Sequence, residues 1–346
     1  RRSLNMTRSI TALTIGTLMA ASLSNGQAAE LSVSGDSRIV AAGATLETLW
    51  EDGGFTEGAA SGSDGCIYFS DFAQPFDSGP ARVMKFDPKS KKITVHCPDS
   101  GMGNGLMFTR GGKLIGCCAS PLGGHRALVE FLSDGTVQPI VSKFEGNRFN
   151  SPNDLVIDRK GRIYFSDPKY VGPEKLELDR FNLFRLDPDG TLQIATQAVD
   201  KPNGVMLSPD QRILYVAETD NGSATADLDK EPATPGRMTL NAFVVNDDGS
   251  LGAKTILHNF GNETGVDGMT VDTEGHIYAA VRSKSRFGIV VFDPLGHELA
   301  CIQTPTLPTN CVFGRDDQNK TLYITAGSGL YRINLGIPGH HAALVE

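Results

Sequence analysis

The sequence lacks any excess of positive charge: its 346 residues carry 32 Lys and Arg against 40 Asp and Glu, a formal net charge of −8. A protein whose main partner is a nucleic-acid backbone needs clustered cations, so that class is not supported, and neutral or cationic ligands or metal ions fit better. Long hydrophobic runs are also missing. The most apolar stretch, residues 10–23, is too short and too rich in Ser and Thr for a spanning helix, so no membrane span is expected. The six cysteines, Cys66, Cys97, Cys117, Cys118, Cys301 and Cys311, show no zinc-finger spacing, and buried thiols are the default for most of them in a chain this long. No Gly-x-Ser-x-Gly elbow occurs. The glycine-rich run Gly101-Met102-Gly103-Asn104-Gly105 precedes a strand pattern and not a helix, which removes a dinucleotide-binding reading. With 40% hydrophobic residues, the chain can bury a large core and disorder is excluded as its main state.

Arg1, Arg2 and Arg8 precede an uncharged stretch from Ser9 to Ala29 that ends in the small residues Gly26-Gln27-Ala28-Ala29. This is the pattern of a secretory signal peptide over residues 1–29, with Met6 as its start, and it predicts a periplasmic or secreted protein. Its removal leaves 29 basic and 40 acidic residues in a single domain of residues 30–346.

The strongest signal is an internal repeat. The segment from Asn153 to Asp167 holds a polar residue, a short strand, a glycine turn and a second strand, and the same order recurs from Glu57, Asn104, Asn203, Asp267 and Asn310. The starts are separated by 47, 49, 50, 64 and 43 residues. Between the copies lie hairpins with turns such as Asp134-Gly135, Asp189-Gly190 and Asp248-Gly249 between alternating apolar residues. Four strands per period is the size of a propeller blade. The pattern therefore predicts an all-β fold, a six-bladed β-propeller of four-stranded blades. The last period lacks a fourth strand, and the run from Ile39 to Leu49 is expected to supply it, closing the ring with N- and C-terminal strands in one blade. The extra length of the fourth period maps to a polar loop from Asp220 to Gly236.

In such a ring the residues opening each repeat occupy equivalent places around the axis. Glu57, Asn104, Asn153, Asn203, Asp267 and Asn310 would then bring together two carboxylates and four amides. Burying two carboxylates side by side is costly unless a cation neutralises them. Oxygen donors without Cys or His suit Ca²⁺ best, with Zn²⁺, Mg²⁺ and Mn²⁺ as alternatives. The hairpin offset that returns Asp167 to the same end as Asn153 also nominates Asp71, Cys118 and Glu218 as rim or supporting residues. His125 lies in a loop that can reach the channel mouth.

Ser151-Pro152-Asn153-Asp154-Leu155, Tyr164-Phe165-Ser166-Asp167-Pro168, Pro202-Asn203-Gly204 with Ser208-Pro209-Asp210, and Asp267-Gly268-Met269 resemble the gluconolactonase, senescence marker protein and regucalcin-like family over about residues 46–333. The resemblance implies hydrolysis of a sugar lactone at one divalent metal, commonly Ca²⁺. It carries metal-ligand roles to Glu57, Asn203 and Asp267, and contact with metal-bound water or substrate to Asn153. Asp267 also matches the proposed base. Substrate contacts are expected from Asn153, Asn104 and Asp167. Cytosolic animal members have Arg where this chain has Ser151, so sugar hydroxyls would be met from elsewhere, such as Arg148 or His125; exported bacterial-type members often have the Ser-Pro form. The same scaffold also admits a calcium-dependent esterase or phosphotriesterase, or a non-enzymatic calcium-binding interaction propeller.

Overall fold

The computed structural model describes residues 31–74, 78–222 and 235–344. The leader expected over residues 1–29 and most of the Asp220–Gly236 loop lie outside them. No helix among the described residues is long and apolar enough to cross a membrane.

Among the described residues six antiparallel sheets of four or five strands follow one another along the chain, beside one two-stranded hairpin, and each of the six takes its innermost strand from the start of a repeat. These inner strands are Phe55–Ser61, Gly103–Phe108, Leu155–Ile157, Pro202–Leu207, Val266–Val271 and Pro308–Phe313. Each pairs with the next strand in sequence and the sheet grows outward, giving six four-stranded blades of a β-propeller. The Asp-Gly turns work as their chemistry dictates. Asp189 Oδ1 accepts the Thr191 amide at 2.9 Å, and Gly190 takes φ 87°, a conformation that side-chain-bearing residues rarely adopt.

The ring closes in the sixth blade, where Glu47–Trp50 pairs with Gly329–Asn334. A further strand was not foreseen: Val33–Gly35 adds to the outer edge of the fifth blade beside Glu298–Ile302. Ile39 and Val40, expected to be part of the closing strand, instead sit in the connection between these two strands and are buried in the core under blades five and six. The blades pack through apolar side chains from adjoining sheets, including Tyr278 of the fifth edge-on to Phe313 of the sixth at 5.0 Å between ring centroids. All six cysteines are buried thiols.

At the far end of the inner strands the C-terminal segment folds inward. Gln211 Nε2 donates to Ala342 O at 2.7 Å, the His340 amide donates to Val271 O at 2.9 Å, and Ala342 and Ala343 are buried. This segment lines a small cavity of about 60 Å³ with Asp154, Asn310 and Arg315.

Candidate active site

Five inner strands share one irregularity. The pairing register slips between Glu57 and Ala59, Gly103 and Leu106, Pro202 and Val205, Val266 and Met269, and Pro308 and Asn310. Such bulges re-aim side chains. The glycine that follows Glu57, Asn104, Asn203 and Asp267 has a packing reason. A Cβ on Gly58 would stand 2.1 Å from Asn104 O, and one on Gly204 would stand 2.2 Å from Asp267 O. Neighbouring inner strands therefore touch backbone to backbone at these points, which holds the preceding polar side chains close around the axis.

Glu57, Asn104, Asn153, Asn203 and Asp267 all line one cavity of about 280 Å³. Asn310 does not. Cys311 pairs with Ile324 as Val205 pairs with Val216, so the counterpart of Asn203 is Thr309, and Asn310 stands one residue further along, level with Gly204. Thr309 is fully buried, its hydroxyl near Thr56 O at 2.8 Å. Asn310 caps its own strand by accepting the Cys311 amide at 2.8 Å and faces the opposite cavity. The expected six-membered ring is therefore a ring of five, because a shift of one residue in a strand sends the side chain elsewhere.

Asp267 is held at both oxygens. Asn203 Nδ2 donates to Oδ1 at 2.9 Å, and Arg282 Nη1 donates to Oδ2 at 3.1 Å while also donating to Pro308 O at 3.0 Å. The guanidinium lies over the Phe55 ring at 5.8 Å. Burial raises the pKa of Asp267, and Arg282 and Asn203 oppose the rise. Burial also lifts Glu57 well above the usual carboxylate range, and the Asp267 charge lifts it further, only partly offset by Arg282. Two buried carboxylates thus face one cation of the protein, and burial together with the Asp267 charge disfavours the ionised form of Glu57.

Among the described residues no three His, Cys, Asp or Glu side chains cluster as a metal site. A metal here would rest on the two carboxylates Glu57 and Asp267 together with amide oxygens. Asn203 Oδ1 is buried without a hydrogen-bond partner, and an acceptor left this way in a buried site costs about 1–3 kcal/mol. An orphaned amide oxygen beside two mutually repelling carboxylates is the donor chemistry of a hard divalent cation, so the residues present fit one.

Asp167, Arg148 and His125 are not part of the cavity lining. Asp167 is fully buried and accepts the amides of Asn150 at 2.8 Å and Ser151 at 2.7 Å. It fixes the backbone that enters the third inner strand. Arg148 is exposed and bonded to Glu177 at 2.6 Å. His125 packs against Gly101 in a separate surface cleft, held there by its amide on Gly101 O at 3.0 Å. Asp71 and Glu218 repeat the role of Asp167. Asp71 Oδ1 accepts the Gly54 amide at 2.8 Å, and Glu218 Oε1 accepts the Asp200 amide at 2.8 Å. Each is buried beneath the loop leading to an inner strand and outside the cavity. Cys118 sits at the same level, its thiol 3.2 Å from Ser100 O.

Sequence reasoning missed Arg282, Phe55, Phe72 and Tyr170, all of which line the cavity. In the fifth blade the hairpin offset that nominated Asp71 and Glu218 lands on Val281, the partner of Val266, and Arg282 is the next residue, so it was within one position of the signal. The aromatic residues gave no comparable signal, because Phe55 and Phe72 look like ordinary strand residues in sequence.

The fold and this cluster define a six-bladed propeller with a carboxylate-amide site at one end of its axis. Residues 122–328 match the SMP-30/Gluconolactonase/LRE-like region, and the chain belongs to that family. It is 32% identical over 208 residues to a gluconolactonase of Zymomonas mobilis, covering 56% of this chain and 53% of the relative, so it spans about half the length of that protein. The structure of a gluconolactonase from Xanthomonas campestris superposes with a TM-score of 0.70 at 30% identity, covering 84% of this chain and 90% of that one. Regucalcin from Agrobacterium tumefaciens, described as a calcium-binding protein, shares the fold with a TM-score of 0.64 at 18% identity over 86% of this chain and 95% of that one.

Proposed function

We propose that the protein is a lactone hydrolase that works with a divalent cation, Ca²⁺ by preference, in the cavity floored by Glu57, Asn203 and Asp267. The observation that carries this reading is the buried pair Glu57 and Asp267 beside the unpartnered Asn203 Oδ1, in a family whose named relatives include gluconolactonases. Glu57, Asn203 and Asp267 would hold the cation, with Asn153 beside them. A cation bound there supplies Lewis-acid polarisation of the lactone carbonyl. Asn104 and Asn153 line the wall where amide groups can orient the ring. Asp267 then orients the attacking water or takes its proton, and Arg282, bonded to Oδ2, fixes the carboxylate while it does so. The water oxygen bonds to the carbonyl carbon, the ring C–O bond breaks, and the ring oxygen leaves as the hydroxyl of the hydroxy acid. The leader-like composition of residues 1–29 adds export to this proposal.

The test is metal removal and restoration. Chelated protein should hydrolyse glucono-δ-lactone no faster than the spontaneous reaction, and Ca²⁺ should restore turnover better than Zn²⁺, Mg²⁺ or Mn²⁺. Undiminished activity after chelation counts against the metal, and no activity with any of the four counts against the lactonase.

A further inference from the structure

The cavity has two unlike halves. Its floor carries Glu57, Asp267, Arg282 and the asparagines, whereas Phe55, Phe72, Ala119, Pro121 and Val171 supply carbon to its upper wall. Pro121 and Val171 come from different blades, and the loops meet: a Cβ on Gly172 would stand 3.3 Å from Pro121 Cα. The apolar character continues outward, since Val171 is 41% exposed and Leu122, next to Pro121, is 50% exposed.

A polyhydroxylated ring needs a partner for each hydroxyl it buries, because every unpaired one costs about 1–3 kcal/mol. Two hydroxyl side chains of the upper wall already donate to the main chain. Tyr170 donates its proton to Thr219 O at 3.0 Å, and Thr219 donates its own to Val266 O at 2.6 Å. Ser151, which stands where cytosolic animal members of the family carry an arginine, accepts the Ser120 amide at 3.0 Å. Asn221 accepts from Lys201 Nζ at 3.0 Å. Arg148 and His125, the cationic alternatives for reading sugar hydroxyls, lie elsewhere. Among the described residues, the wall above the asparagines therefore offers more carbon surface than hydroxyl-reading groups.

We propose that the preferred substrate is a lactone bearing an apolar substituent, an alkyl chain or ring that lies against Phe55, Phe72, Pro121 and Val171 while the lactone carbonyl faces the carboxylates. This deepens the lactonase reading and rests on it. The chain's own contribution to selectivity is apolar burial of the substituent, about 0.8 kcal/mol for each methylene covered.

The experiment compares δ-decalactone, unsubstituted δ-valerolactone and glucono-δ-lactone with the cation-loaded protein, each corrected for spontaneous hydrolysis. The expected result is a kcat/KM for δ-decalactone at least about tenfold above either of the others, within reach of a few buried methylenes. Val171→Asp, a change at an exposed position, should erase much of that advantage through KM, read as a fall in the ratio of kcat/KM for δ-decalactone to that for δ-valerolactone. Equal or better use of glucono-δ-lactone overturns the substrate class and leaves the lactonase standing. An unchanged preference in Val171→Asp overturns the role of that wall. Failure of all three lactones above the spontaneous rate removes the lactonase reading and this inference with it.

Discussion

Arg282 Nη1 lies 3.1 Å from Asp267 Oδ2, and the same nitrogen is anchored to Pro308 O at 3.0 Å, so the fifth blade's second strand and the sixth blade's first strand jointly fix the carboxylate. Arg282→Gln should lower kcat/KM by roughly 10- to 100-fold through misplacement of Asp267. Arg282→Lys should recover part of the loss by restoring the charge without the planar fork. Steady-state kinetics on both variants check this, and wild-type rates in Arg282→Gln would show that Asp267 needs no such anchor.

Replacing either acid should separate chemistry from folding. Asp267→Asn should reduce kcat by roughly 10²- to 10⁴-fold, the usual contribution of a positioned base. Glu57→Gln should also lose activity, mainly through weaker binding of the cation. Circular dichroism should retain the β-spectrum in both, because each neutral amide also relieves the repulsion between two buried carboxylates. Full activity in either variant removes that residue from the site.

Asn310 and Asn104 look alike in sequence and differ in the structure, which gives a paired test. Asn310→Ala should cost about 1 kcal/mol in urea unfolding through loss of its cap on Cys311, with kcat/KM unchanged. Asn104→Ala, inside the cavity, should raise KM or lower kcat. Reversal of the two phenotypes would restore Asn310 to the catalytic ring.

The six-fold repeat was legible in sequence because one blade must bury its faces against the next, which imposes the same apolar order six times. Four members of the ring of five were legible for a related reason: in Glu57-Gly58, Asn104-Gly105, Asn203-Gly204 and Asp267-Gly268 a polar residue followed by glycine marks the bulge where inner strands touch. Asn310 broke the reading because Thr309-Asn310 preserves polarity while moving it by one position, and only the pairing of Cys311 with Ile324 reveals the slip. Asp167 misled differently. The offset placed it at the correct end, but buried amides of Asn150 and Ser151 claim both its oxygens, and such claims depend on loop backbone that no periodicity describes.

Stability should carry a pH signature from Asp154, whose carboxyl is pushed up to about 7 by burial despite the amides of Leu155 and Val205. Its folded pKa exceeds the unfolded value of 3.8, so the native form holds the extra proton and stability falls as pH rises from about 4 through about 7. His340 and His341, held neutral by burial, act in the opposite sense below about pH 6.5, so the wild-type curve alone mixes the two. The difference in urea midpoint between wild type and Asp154→Asn isolates the acid. Wild type should lose ground relative to the variant between pH 5 and pH 8, and a constant difference would mean that Asp154 is ionised throughout.

The inward fold of His340 to Ala343 has a kinetic consequence. With that segment packed across the far end of the axis, a lactone hydrolase of the kind proposed would release its hydroxy acid by the same mouth through which the lactone enters. Under that reading a lingering product bars the next substrate, so the released acid is expected to inhibit competitively, and its exit leads past Phe55, Phe72 and Val171.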